Sequence, residues 1–100
     1  MTTLLTIARA EAIFVSRLAT RSLPSGSEIA AAIRDSIRAF GGCRGCAAAL
    51  AYAYGEYPET AAARMRWALA VVETAYPCRV GRHRAGRQLP ASRVDGRAAA

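Results

Sequence analysis

Helix breakers divide this chain more sharply than any other feature. Leu23-Pro24-Ser25-Gly26, Gly41-Gly42, the stretch from Gly55 to Pro58, and Pro77 cut the first three quarters into four segments of helix length. Within the segments, apolar residues recur at the 3.6 period, and no stretch shows the strict alternation of a half-buried strand. The expectation is therefore an all-α fold: a small four-helix domain over 1–78 with a helix-turn-helix at 46–76, followed by a flexible basic C-terminal tail over 79–100.

The first segment reads as a helix from Thr3 to about Thr20, with Leu4, Ile7, Ala8, Phe14, Val15 and Leu18 near one stripe. The second runs from about Ser27 to Ala39. Ser25 and Glu28 have the spacing of a capping box, with Ser27 as a competing cap. Ile29, Ile33, Ile37 and Phe40 recur at nearly every fourth position, and Gly41-Gly42 ends the run as glycine does after a helix C-terminus. The third, about Gly45 to Tyr54, is short and rich in alanine, with Gly55 as its stop. The fourth starts at Pro58, whose missing N–H costs nothing in a first turn. It continues to about Tyr76, with Ala61, Met65, Ala68, Leu69, Val72 and Tyr76 on one side.

Hydrophobic residues make up 53% of the chain, but many are alanine, which favours helices more than it fills a core. One hundred residues and so few large apolar side chains support one small core with a thin margin of stability. All 14 basic residues are arginine, as a GC-rich genome favours, and the net charge is +7. That charge is uneven. Residues 1–78 carry eight Arg against six acidic side chains, a net of +2, while 79–100 carry six Arg against Asp95, a net of +5. Arginine forks suit phosphate, and a run of them adds sequence-independent affinity for nucleic acid.

Other classes of function find little support. Cys43, Cys46 and Cys78 are an odd number, a poor disulfide framework. Cys43-Arg44-Gly45-Cys46 has zinc-knuckle spacing, and Cys78 with His83 would complete four ligands. There is no second close pair, however, so no metal or other cofactor is expected. A thioredoxin-like role would want a strand before the motif. One histidine, scattered carboxylates and no Gly-rich phosphate loop leave no catalytic constellation, so the chain is not expected to be an enzyme. The N-terminus breaks its apolar run with Arg9 and Glu11, unlike a signal peptide, and the uncharged run CAAALAYAYG is too short to span a bilayer. A cytoplasmic protein with reduced thiols and no membrane contact is expected.

Residues 46–68 resemble the helix-turn-helix of the fourth conserved region of sigma factors. Leu50-Ala51, Tyr54-Gly55, Thr60, Arg64-Met65 and Ala68 stand at that family's spacings without a gap, and Cys46 takes the place of its small helix-starting Ser or Thr. Pro58-Glu59 sits one residue later than the family's turn, and no glycine precedes Thr60. Residues 1–78 as a whole are also similar to small proteins of GC-rich bacteria, a resemblance that brings no function with it. In the helix-turn-helix reading, Ala51 marks the closest crossing of the two helices and Gly55 takes the left-handed conformation that turns the chain. Leu50, Tyr54, Ala61 and Met65 fill the angle between them.

The fourth helix would then enter a major groove. Glu59, Thr60, Ala63, Arg66 and Trp67 form its outward face, with Arg64 at the margin. Arg66 or Arg64 would reach guanine edges or phosphates, Thr60 the backbone or a thymine methyl, and Glu59 the amino group of cytosine. The expected function is a small transcriptional regulator bound to double-stranded DNA, dimeric through an N-terminal helix that offers Leu4, Ile7, Phe14 and Leu18. The alternative is a helical adaptor that binds another protein, such as a component of the transcription machinery, without contacting DNA. The near-neutral charge of 1–78 and an outward Trp67 favour that alternative, because aromatic anchors mark protein interfaces.

Overall fold

Residues 3–77, the part of the chain that the computed structural model describes, form four helices in chain order. These are α1 (Leu4–Phe14), α2 (Gly26–Ala39), α3 (Cys43–Glu56) and α4 (Pro58–Ala75), with no strand among the described residues. The expected all-α architecture is therefore observed. Residues 79–100, Cys78 and His83 lie outside the described part.

The best-capped helix is α2. The Glu28 N–H donates to Ser25 Oγ at 3.1 Å and the Ser25 N–H to Glu28 Oε1 at 2.7 Å, so the capping box closes in both directions. At the other end Gly41 has φ +77°, and the Gly42 N–H donates to the Ile37 carbonyl at 2.7 Å. A left-handed residue followed by that long backward bond is a Schellman stop, which glycine makes without strain. Gly42, at φ +108°, then starts α3 two residues before Gly45, where the expected start lay.

Helix α1 is shorter than expected. It stops at Phe14, six residues before Thr20. Ser16 turns its hydroxyl back onto the Ile13 carbonyl at 2.6 Å and accepts the Leu18 N–H at 3.2 Å. A hydroxyl that offers the backbone such local bonds competes with helix continuation. A second cause lies on α4 and is described below.

The boundary between α3 and α4 corrects the expectation most directly. Gly55 does not turn the chain. It lies inside α3 without a positive φ, and only Tyr57 separates the two helices. The break belongs to Pro58, which lacks an N–H and forbids helical geometry in the residue before it. Tyr57 accordingly has φ −138° and ψ 67°. Hydrogen bonding carries across the break, with the Tyr57 N–H on the Ala53 carbonyl and the Ala61 N–H on the Tyr57 carbonyl, both at 2.8 Å. Ala51, expected at the crossing of the helices, is exposed.

The core is built mainly where α1 lies against α4. Ala10, Ile13 and Phe14 of α1 meet Ala61, Ala68, Val71 and Val72 of α4, and Ile29 joins them from α2. The two helices run in opposite directions, since Arg9 near the start of α1 lies 3.9 Å from the Tyr76 ring beyond the end of α4. Alanines on both sides of the seam let the backbones approach closely. The price is that the apolar bulk expected in the core is partly left out of it. Leu4, Leu5, Ile7 and Leu23 are exposed, Leu4 and Leu23 at 86% and 94%.

Two glycine substitutions separate these roles. A Cβ on Gly55 would meet nothing within 4 Å, so Gly55→Ala should stabilise the fold by about 0.5–1 kcal/mol through helix propensity. A Cβ on Gly45 would land on the Phe40 carbonyl, so Gly45→Ala should cost about 2–3 kcal/mol through backbone overlap. Chemical denaturation measures both, and a destabilised Gly55→Ala would restore the glycine turn.

Candidate functional site

The outward face expected of the fourth helix divides in two. Glu59, Thr60, Ala63 and Arg66 are exposed, as expected. Arg64 and Trp67 are not free. They are turned onto the loop between α1 and α2, and their hydrogen-bonding groups are occupied there.

Arg64 caps the end of α1. Its Nε donates to the Phe14 carbonyl at 2.7 Å, and Nη2 donates to the Ser16 carbonyl at 3.0 Å and the Ile13 carbonyl at 3.5 Å. Nη1 donates to Thr20 Oγ1 at 2.7 Å. The last carbonyls of a helix have no partner within it and carry the negative end of its dipole, so a guanidinium there satisfies both the geometry and the charge. The same cation lies 4.9 Å from the Trp67 ring and 5.8 Å from the Phe14 ring. Burial lowers the pKa of Arg64 from its ordinary value, yet an arginine stays charged at any ordinary pH. One turn further along α4, Trp67 Nε1 donates to the Ser22 carbonyl at 2.9 Å. Together the two side chains fasten residues 13–22 to α4.

This arrangement differs from the outward placement expected of Arg64 and Trp67. A reader of base edges needs free donors, and here those of Arg64 meet carbonyls and the Thr20 hydroxyl while that of Trp67 meets the Ser22 carbonyl. A helical wheel carries the signal. Three residues from buried Ala61, Arg64 lies only about 60° from it around the axis, on the packed side. What remains outward on α4 is Glu59, Thr60, Ala63, Arg66, Ala70, Glu73 and Thr74, which holds one basic and two acidic side chains. The N-terminal interface expected at Leu4, Ile7, Phe14 and Leu18 also divides. Phe14 is buried and stacks on Tyr54 at a centroid distance of 6.2 Å, and Leu18 packs half-buried against the core, while Leu4 and Ile7 stand outward.

Two further features lie away from α4. A groove of about 670 Å³ runs between the α1–α2 loop and α2, floored by Leu18, Ala32 and Phe40 and rimmed by Arg17, Glu28 and Arg38. Just past the C-terminal end of α2, Cys43 is exposed in the first turn of α3 while Cys46 is buried. No group of three or more His, Cys, Asp or Glu among the described residues is placed to hold a metal ion. No described helix is long and apolar enough to cross a membrane. Comparison of the chain with family models, with curated proteins and with solved structures finds no match.

If Arg64 closes α1, its loss should be felt in stability. Arg64→Ala is expected to cost about 2–3 kcal/mol, the range for removing a charged partner from several acceptors, and Arg64→Lys about half of that because an ammonium cannot reproduce the fork. Urea unfolding followed by circular dichroism measures both. Wild-type stability in Arg64→Ala would return this side chain to the list of free cations.

Proposed function

We propose that this chain is a helical adaptor, a cytoplasmic module that binds another protein through the apolar outer side of α1. One observation carries the reading: α1 exposes large apolar side chains on the side turned away from the core. Ala10, Ile13 and Phe14 face the core, while Leu4, Leu5 and Ile7 stand in solvent on its first two turns. Three large apolar side chains exposed within four residues form a patch of the kind that a protein surface covers. Leu4 and Leu5 are 86% and 57% exposed, so they contribute little to the fold that holds them.

The DNA-reading alternative has weaker support. The outward face of α4 combines Arg66 with Glu59 and Glu73, and two acids against one base suit a phosphate-lined groove poorly. Any affinity for duplex is better attributed to the six arginines of 79–100, a sequence-independent attraction that falls as salt rises.

A photoreactive amino acid placed in turn at Leu5 and at Ala63 tests the two readings in the same cells. Both positions are exposed, and neither belongs to the core. The adaptor reading expects protein adducts at position 5, of twice the chain mass if the partner is a second copy, and no DNA adduct at position 63. DNA adducts at position 63 with none to protein at position 5 would overturn it in favour of the regulator.

A further inference from the structure

The turn between α2 and α3 makes the most exacting demands on sequence in the molecule, and it presents two thiols. Phe40-Gly41-Gly42-Cys43-Arg44-Gly45-Cys46 holds two glycines at positive φ and a third whose Cβ would strike the Phe40 carbonyl. Cys43 and Cys46 occupy the first and fourth positions of α3. Residues three apart on a helix share a face, with Cβ atoms roughly 5–6 Å apart. A disulfide takes Cβ atoms at about 3.5–4.5 Å, so closure needs only a small movement of the first turn. Cys43 is the residue best able to make it. As the first residue of α3 it has no intrahelical N–H bond to break.

The two sulfurs stand in unequal settings. Cys43 is exposed in the first turn of α3. Cys46 is 1% exposed, and its Sγ donates to the Ser36 carbonyl at 3.7 Å. Burial pushes the Cys46 thiol up, with the neighbouring Cys43 and then Glu11 adding to the effect. Release of Cys46 leaves no orphan behind, because the Ser36 carbonyl keeps the Phe40 N–H at 2.9 Å.

We propose that Cys43 and Cys46 form a thiol–disulfide exchange site, with Cys43 as the attacking sulfur, Cys46 as the resolving one, and a low-molecular-weight disulfide as co-substrate. The Cys43 thiolate attacks one sulfur of the small disulfide, whose S–S bond breaks and releases the first small thiolate. The mixed disulfide on Cys43 is then attacked by Cys46, which has given up its proton. The Cys43–Cys46 bond forms and the second small thiolate leaves. The protons of the two cysteines end on the two small thiols, so the protein dithiol loses two electrons and the small disulfide gains them. Such exchange proceeds without a strand before the motif, since what it requires is one accessible sulfur with a second within reach of it.

The test equilibrates the full chain with oxidised glutathione, quenches with acid, alkylates the remaining thiols and maps them by mass spectrometry. Trypsin cuts after Arg44, so the internal disulfide is read as a linked pair of peptides. The expected result is that linked pair in the natural chain, loss of the pair with glutathione trapped on Cys43 in Cys46→Ser, and an unmodified Cys46 in Cys43→Ser. Circular dichroism confirms that each variant keeps its helices, and exposed Cys43 puts the fold at little risk. Glutathione retained on Cys43 in the natural chain, a Cys43–Cys78 pair, or modification of Cys46 before Cys43 would each overturn the proposal.

Discussion

The contact on which the rest of this small fold depends is the guanidinium of Arg64 against the open end of α1. Three backbone carbonyls and one hydroxyl converge on a single side chain that belongs to the opposite end of the sequence. A core whose largest fully buried side chains, among the described residues, are Ile13, Val72 and Cys46 cannot alone determine where a helix stops and how its loop returns. A charged fork that meets several acceptors supplies that direction, because its charge-assisted bonds satisfy the Phe14 and Ser16 carbonyls, which α1 itself does not. The loop it holds carries the chain to Ser25, where α2 begins. Trp67 extends the same fastening by one turn.

This use of Arg64 and Trp67 also decides what the molecule can present. The packed side of α4 widens from the Ala61, Met65, Ala68 and Val72 stripe to take in residues 64, 67 and 71. The surface left over is narrow and close to neutral. Elsewhere in the bundle α1 exposes leucines that the alanine-rich seam had no room to bury. At the α2–α3 turn, two glycines of unusual conformation and a third under close contact bring a pair of cysteines to the start of a helix.

Helix number, type and order were legible because their signals are local. Pro24, the Ser25–Glu28 pair and Gly41-Gly42 mark α2 within a residue, since caps act over three or four positions. Gly55 misled because glycine permits a turn without requiring one, whereas Pro58, three residues on, forbids the helix from passing through. The end of α1 was hidden for a different reason. Ser16 gave a weak hint, but Arg64 acts from 50 residues away, and no window of sequence contains both. The outward placement expected of Arg64 and Trp67 was wrong on the same ground. The donors that suit a base edge suit a backbone carbonyl equally well, and residue type does not say which is near.

By itself, then, the sequence determined that residues 3–77 are helical, that they form four helices, and where most of these begin, because propensity, capping and breaking are settled within a turn or two of chain. It also determined that the core would be poor in bulk. Only the tertiary structure decided which stripe of α4 turns inward, where α1 stops, and which leucines remain outside. Those outcomes rest on how closely alanine lets α1 and α4 approach and on which carbonyls that approach brings within reach of one arginine.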